Sequence, residues 1–488
     1  LPVSSGGTGS TTATGTGLTV LNNAPTLVAP NLGTPSAINL ANATNFPPLT
    51  ALTGILPVAS GGTGVNTSTG TGNVVLSNGP VFTGIPNFTG GANLGTSVAT
   101  TPAPGNNTTT VATTAFVQAA NAANVNGFGY TGFRNRIING DMRIDQRHAG
   151  AISSMTVNSL YGVDRWEVAA TQTAKLNLQQ NIYSGSLPVV PEFPNWFGVA
   201  SAAATLTAPD YFTIQQAIEG NNIADLAWGT SSGKPVTLSF WAYSSVTGNF
   251  GGSLRNAASP FYSYPFLYNI STANQWIHEV ISIPAPPLGS VWNTNNTIGV
   301  MVQFSLGAGA TYSGPPGVWA QANYVATTGE VSLFGGVNAL LLTGVQFEAG
   351  TVATPFEHRP LGTELQLAQR YYESNFDYGT APANNVVGMQ YPGATYGFGA
   401  TTRVETNIHF AISKRVAPTV IMYGANTSSS AFWSYYDNTN SWVQTTAQSN
   451  PVISTKNVTI SLDGLNANVT LHSSYIISGG WTADADFP

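Results

Sequence analysis

A near-duplicate at the start of the chain constrains its fold more than any other feature. Leu1-Pro2-Val3-Ser4-Ser5-Gly6-Gly7-Thr8-Gly9 returns as Leu56-Pro57-Val58-Ala59-Ser60-Gly61-Gly62-Thr63-Gly64. Thr14-Gly15-Thr16-Gly17 is answered by Thr69-Gly70-Thr71-Gly72, Val20-Leu21 by Val75-Leu76, and Pro25 by Pro80. Fixed spacing means one unit used twice, and a unit this poor in large apolar residues cannot bury a core alone. It must stack on its neighbours or wind with other chains. An elongated, oligomeric, repeat-containing shaft is therefore predicted over residues 1–110, with a disordered linker as the competing reading.

Composition narrows the chemistry. Charged residues are 7% of the 488 and the formal net charge is -6, so the surface is kept polar by hydroxyls and amides and holds little material for acid-base work. Fourteen Lys and Arg residues leave no basic patch able to neutralise phosphates, which argues against nucleic acid. The absence of cysteine excludes disulfides and thiolate metal sites. No apolar run reaches the ~18 residues of a membrane span, so no membrane insertion is expected. No signal peptide is visible. The chain starts inside a repeat and is read as a fragment whose upstream anchoring region is missing.

The rest of the chain predicts a mainly β protein. Val111 to Ala123 places Ala115, Phe116, Ala119, Ala120 and Ala123 on one helical face, a stripe that a three-chain bundle would bury; residues 111–133 are read as a short helical trimerisation junction. From residue 134 to 360 many short strands with Gly, Pro and Asn turns indicate a jelly-roll β-sandwich. Strands are expected at Gly162–Val168, Lys234–Tyr243, Trp276–Ile283, Ile298–Leu306 and Asn338–Phe347, and the alternation of Asp141 to Asp145 reads as a further strand. Residues 361–376 form a linking helix, with capping-box spacing between Thr363 and Gln366. A β-rich tip follows from 377 to 488.

Several local signatures together resemble the tail fibres and tail spikes of bacteriophages and prophages. They are the Leu-Pro-Val-x-x-Gly-Gly-Thr-Gly repeat, Val111-Ala112-Thr113-Thr114-Ala115-Phe116-Val117-Gln118, Asn135-Arg136-Ile137-Ile138-Asn139-Gly140-Asp141 and Val163-Asp164-Arg165-Trp166. Leu342 to Gly350, Thr354-Pro355-Phe356-Glu357 and Gln369-Arg370-Tyr371-Tyr372 complete the set. The resemblance covers the chain to about residue 376. It implies a homotrimer on a virion, a jelly-roll domain of carbohydrate-binding type, and a distal tip contacting host surface polysaccharide, lipopolysaccharide or an envelope protein. Other phage tail proteins would be met through the missing N-terminal region. The expected role is host attachment by multivalent, non-catalytic recognition of surface glycan, against a depolymerase or a purely structural shaft. A bacterial surface adhesin is a weaker third rival.

A sugar site needs an aromatic face for the C–H side of a ring, beside amide or carboxylate partners for hydroxyls. The densest such run is Phe432 to Trp442, read as a hairpin with Asp437 to Asn440 at its turn. Its candidates are Trp433, Tyr435, Tyr436, Asp437, Asn438 and Trp442, with cross-strand packing as the alternative role. In the sandwich, Trp292 and Trp319 read as loop positions and join the candidates, with Tyr262 and Tyr264 behind them; Trp241 and Trp276 read as core or subunit packing. Two carboxylate pairs are candidates for depolymerase chemistry, Asp141 with Asp145 and Asp164 with Glu167. Arg143 and Arg147 beside the first pair favour structural ion pairing. His148, His278, His358, His409 and His472 are too scattered for a metal motif, and Asp437 to Gln448 departs from a calcium loop at its sixth and twelfth positions. No catalytic residue, metal or cofactor is expected.

Overall fold

The computed structural model describes residues 134–488, except 189, 191, 387–389, 399–400, 425–431, 446, 466 and 488, together with Thr114 and Val117. The repeat-containing shaft and nearly all of the helical junction lie outside the described residues.

The described chain is mainly β. In order it forms β1 (Ser153–Ser154), β2 (Ser159–Val163), β3 (Trp166–Ala170), β4 (Leu176–Gln180), β5 (Phe197–Ser201), β6 (Tyr211–Glu219) and β7 (Val236–Ser244). Then come β8 (Gly248–Arg255), β9 (Ser263–Ile270), β10 (Trp276–Ile283), β11 (Ile298–Ala308), β12 (Ser313–Gly314), β13 (Ala326–Thr327) and β14 (Ala339–Ala349). Two six-stranded antiparallel sheets face each other, ordered β1-β4-β5-β14-β7-β10 and β2-β3-β6-β11-β8-β9. Alternation builds the core between them: Val236, Leu238, Phe240 and Ala242 of β7 point inward with no exposed surface. Phe240 meets Phe304 of the opposite sheet edge to face at 4.9 Å. Burying one such side chain contributes roughly 1.5–3 kcal/mol.

Residues 134–150 are not a strand but an irregular segment of bends and turns. Its polar side chains are spent on holding the sandwich together, which overrides the alternation. Asn135 donates its Nδ2 to the Val345 carbonyl (3.0 Å) and accepts from the Ile137 and Phe347 amides (both 3.0 Å). Asn139, at φ 59°, donates to the Ile144 and Asp164 carbonyls at 2.8 and 2.9 Å. Gly140 is demanded by close approach, since a Cβ there would lie 2.2 Å from the Val345 carbonyl oxygen. The expected strand Gly162–Val168 is broken by a tight turn at Asp164-Arg165, with Arg165 at φ 72°, into the β2–β3 hairpin.

The linking helix, α1, spans Leu361–Gln369 and is shorter than expected. Pro360 is its N-cap (φ −54°, ψ 143°), no side chain caps it, and Thr363 lies inside the first turn. The chain leaves the helix because Tyr372 to Ser374 are claimed by a sheet. They form β15, which pairs with the distant segment Thr482–Asp484.

The tip comprises β16 (Gln390–Phe398), β17 (Thr401–His409), β18 (Thr419–Tyr423), β19 (Ser434–Tyr436) and β20 (Trp442–Gln444). It continues with β21 (Ala447–Ile453), β22 (Asn457–Asp463), β23 (Ser474–Ser478) and β24 (Gly480–Asp484). A seven-stranded sheet, β20-β19-β23-β16-β17-β22-β21, packs with a three-stranded one, β15-β24-β18. The second sheet thus takes one strand from beside α1 and two from the tip.

Candidate functional site

The aromatic run of the tip folds as the expected hairpin, with Tyr436 opposite Trp442, but its rings divide between two faces. Trp433 and Tyr435 have no exposed surface. Trp433 donates its indole N–H to the Gly480 carbonyl (3.0 Å) and stacks on Tyr391 at 5.7 Å. A Cβ on Gly479 would sit 2.1 Å from the Trp433 ring, so only glycine lets the indole lie there. These two rings hold the tip's core and are closed to a ligand.

Tyr436 and Trp442 occupy the opposite face. Their rings meet edge to face at 5.3 Å, and Trp442 is 38% exposed. The register Tyr435 to Ile477 brings Ile476 next to Tyr436 on that face, and Ile476 is 47% exposed. Sequence reasoning missed Ile476, because the pairing of β19 with β23 joins segments some forty residues apart and leaves no local signal.

Asp437 is buried and organises the turn. Its Oδ1 accepts from the Thr439 amide (2.9 Å), the Thr439 hydroxyl (2.7 Å) and the Ser441 amide (3.2 Å), while Asn468 donates to Oδ2 (3.2 Å). Asn438 is exposed, yet it donates to Thr470 Oγ1 (3.0 Å) and accepts from the Tyr475 hydroxyl (3.2 Å). The turn and the 468–475 segment thus brace each other beside the Tyr436–Trp442 pair.

In the sandwich, Trp292 is buried and Trp319 half-buried, packed with Trp228 in a cluster of edge-to-face rings at 4.6 to 6.2 Å. Trp292 donates to Ser290 Oγ (2.9 Å) and Trp319 to the Pro284 carbonyl (2.9 Å). Tyr264 joins this cluster and Tyr262 packs against the core. Trp241 and Trp276 instead stand on the outer face of the first sheet. Trp241 lies against the exposed His278 at 5.1 Å, and Trp276 against Trp196 and Tyr243 at 6.2 and 5.6 Å.

The four carboxylates that could serve hydrolysis each have structural partners. Asp141 pairs with Arg143 at 3.0 Å, and Asp145 accepts from the His148 and Gly150 amides at 2.9 and 2.7 Å. Glu167 accepts from Gln215 at 2.9 Å and from the Ser159 hydroxyl. Asp164 accepts from the side chain and backbone amide of Gln146, and burial pushes its carboxyl up to about 7. Among the described residues no three His, Cys, Asp or Glu side chains gather closely enough to hold a metal ion, and no helix is long and apolar enough to cross a membrane.

The family-like signatures at the sandwich's opening and close turn out to form one hydrogen-bonded assembly. Glu348 accepts from the Thr354 amide (2.8 Å), the Thr354 hydroxyl (2.7 Å) and Gln346 (2.9 Å), and Glu357 accepts from the Asn135 amide (2.8 Å). Arg359 pairs with the buried Glu364 of α1 at 3.2 Å, and the same carboxylate accepts from the Asn139 amide. A cavity of about 270 Å³ lies behind this assembly, between Arg136, Asn222, Asp225 and Leu367, and its wall is tied by the Arg136–Asp225 pair at 2.8 Å.

A second cluster joins sandwich to tip. Arg165 is fully buried and pairs with the buried Asp486, while donating to the Ala217 carbonyl. Arg147 bonds both Asp484 and Asp486 at 2.7 Å and lies over the Tyr372 ring at 3.8 Å. Arg415 donates to the Ala485 and Asp486 carbonyls (both 2.9 Å), Arg370 pairs with Glu219 at 2.7 Å, and Lys414 with Glu373. Val163-Asp164-Arg165-Trp166 and Gln369-Arg370-Tyr371-Tyr372 both serve this joint.

No protein-family model matches the chain, and no curated protein matches it. Among solved structures it is similar to the enzymatically active domain of tailspike protein 4 from bacteriophage CBA120, with 14% identity and a TM-score of 0.24, over 44% of this chain and 21% of that one. It thus spans about a fifth of that tailspike's chain. It is similar to the family 11 carbohydrate-binding module from Clostridium thermocellum in complex with a mixed-linked tetrasaccharide, with 12% identity and a TM-score of 0.21, over 42% of this chain and 99% of that one. It is also similar to the N-terminal cellulose-binding domain of β-1,4-glucanase C from Cellulomonas fimi, with 10% identity and a TM-score of 0.20, over 41% and 100% of the two chains. At TM-scores this low the likenesses carry no weight, and the fold and function rest on this chain's own residues.

Proposed function

We propose that the chain is part of a homotrimeric bacteriophage tail fibre that attaches the virion to its host by binding surface glycan without cleaving it. The observation that carries this reading is the Tyr436–Trp442 pair, left on the solvent face of the tip while the neighbouring Trp433 and Tyr435 go into its core. An indole face beside an isoleucine suits the C–H side of a pyranose ring, and the polar Asp437 to Ser441 turn, braced by Asn438 against Thr470 and Tyr475, flanks it. The paired Leu-Pro-Val repeats support the fibre, and three linked copies would multiply a weak site by avidity. The non-catalytic reading is supported by the structural partners of Asp141, Asp145, Asp164 and Glu167.

The test is binding of the purified chain to intact host cells and to an array of bacterial surface glycans, with released reducing ends followed in the same tubes. Binding without release, lost in Trp442→Ala while the fold is kept, is the expected result. Release of oligosaccharide would make the protein a depolymerase. Full binding by the variant would move the site away from the hairpin.

A further inference from the structure

On the side of the sandwich's second sheet away from the core lies a buried polar row, Glu167, Gln215, Gln303 and Ser253, each less than a tenth exposed, with Ser253 also donating to the Tyr324 carbonyl at 2.8 Å. Glu167 of β3, Gln215 of β6, Gln303 of β11 and Ser253 of β8 stand side by side in register. Their side chains form a chain of hydrogen bonds: Gln215 donates to Glu167 at 2.9 Å, Gln303 to Gln215 at 2.7 Å, and Ser253 to Gln303 Oε1 at 3.2 Å. Arg255, at the far end, donates its Nε to the same Gln303 oxygen at 3.3 Å.

Among the described residues Arg255 differs from most of the other arginines and shares with Arg415, which bonds backbone carbonyls, the lack of an acidic side-chain partner. Seven other arginines form ion pairs with Asp or Glu. Among the described residues Arg255 has none: its Nη1 goes to Asn323 Oδ1 (2.7 Å) and its Nη2 to the Met301 sulfur (3.1 Å). Burial lowers its pKa from the usual arginine value. Arg255 is half-buried, and a cation partly withdrawn from water without a counter-charge is destabilising. The surroundings offset that only with neutral dipoles and rings. Phe261, 39% exposed, lies 5.5 Å from the guanidinium carbon. Tyr211 and Tyr312, half-buried and edge to face at 5.0 Å, feel the charge from across the site.

We propose that the partly exposed surface around Arg255 and Phe261, above this buried row, binds a carboxylate-bearing sugar, of the uronate or sialate class, whose acid group supplies the counter-charge that Arg255 lacks. A guanidinium takes a carboxylate in a two-pronged bond that a neutral hydroxyl cannot reproduce. The tyrosines and Phe261 offer faces to the ring carbons, and Glu167 and Gln215 supply the array that orders the floor. This rests on the glycan-attachment reading and adds to it a second site, on the sandwich, with a stated ligand charge.

The experiment uses the whole chain against arrayed uronate- and sialate-bearing bacterial glycans and the same glycans with their carboxyl groups reduced to alcohols. The parent is expected to bind at least one acidic glycan about tenfold or more tighter than its reduced counterpart. Arg255→Met is expected to abolish that difference while melting no lower than the parent, since it removes a half-buried charge that has no acidic partner. Should that variant misfold, Arg255→Lys keeps the charge without the fork and is expected to lose about tenfold in acidic-glycan affinity. Equal binding of acid and alcohol forms, no retained acidic glycan, or a preference surviving in whichever Arg255 variant folds would each overturn the proposal. Host-cell binding that persists without any acid preference would sink this site alone and leave attachment through the tip standing. Loss of cell binding in the parent would remove the reading on which it rests.

Discussion

At the scale of single residues, burial decides what each charge contributes. Arg165 and Asp486 are both nearly inaccessible, so cutting one partner leaves the other uncompensated. Asp486→Ala is expected to cost about 3–5 kcal/mol in urea denaturation. Asp484, a third exposed and sharing Arg147 with Asp486, is expected to cost under about 1 kcal/mol in the same assay. Glu330 gives a pH signature. It accepts from the Ser305 hydroxyl at 2.6 Å, and burial pushes its carboxyl up to about 7 from an unfolded value near 4.5. A raised carboxyl binds its proton more tightly in the folded chain, so its contribution is full below about pH 4.5 and is lost as pH rises towards 7 and beyond. The stability of the parent relative to Glu330→Gln should therefore fall by about 1.4 kcal/mol per pH unit across that window. Denaturant melts at pH 4.5, 5.5, 6.5 and 7.5 would show it, and parallel curves would refute it. None of this was legible in the sequence. Arg165 meets a partner 321 residues away, and nothing local distinguishes Arg255 from Arg147.

At the scale of elements, period and turn chemistry carried the reading a long way. The alternation from Val236 onward and the apolar runs at Trp276, Ile298 and Asn338 are β7, β10, β11 and β14, because strands between two packed layers must keep one face apolar. The hairpin around Asp437 was equally legible, since an Asp-Asn-Thr-Asn turn supplies its own caps. Which face each ring takes was not, because that depends on the strands laid alongside. The hairpin makes the distinction measurable. Trp433→Ala should cost about 3–5 kcal/mol by emptying the tip's core. Trp442→Ala should change stability by less than about 1 kcal/mol and show its effect in glycan binding. Equal destabilisation by the two would mean that Trp442 is packing after all. Helix α1 shows the opposite failure. Its capping-box spacing is genuine, but Pro360 opens the helix earlier and Glu364 turns inward to Arg359. With the helix opening at Leu361, Thr363 stands inside the first turn and not at the N-cap, so its hydroxyl has no cap to make.

At the scale of the described molecule, sandwich and tip share a sheet, a salt-bridged joint and a small apolar cluster of Ile138, Ile144, Met301, Tyr371 and Phe487. Removing residues 377–488 would strip β15 of its partner and expose that cluster. The truncated chain is expected to aggregate, or to bind hydrophobic dye, where point variants of the hairpin stay soluble. A well-behaved monomeric sandwich after truncation would show that the joint is dispensable. The joint has a further consequence for the conditions in which orientation is kept. Its central charges lie where dissolved ions cannot reach, so the Debye screening that dissolves surface pairs at high ionic strength leaves Arg165 and Asp486 untouched. Sandwich and tip should hold the same mutual angle in fresh water and in brine, a tolerance that hinged, surface-charged linkers do not have.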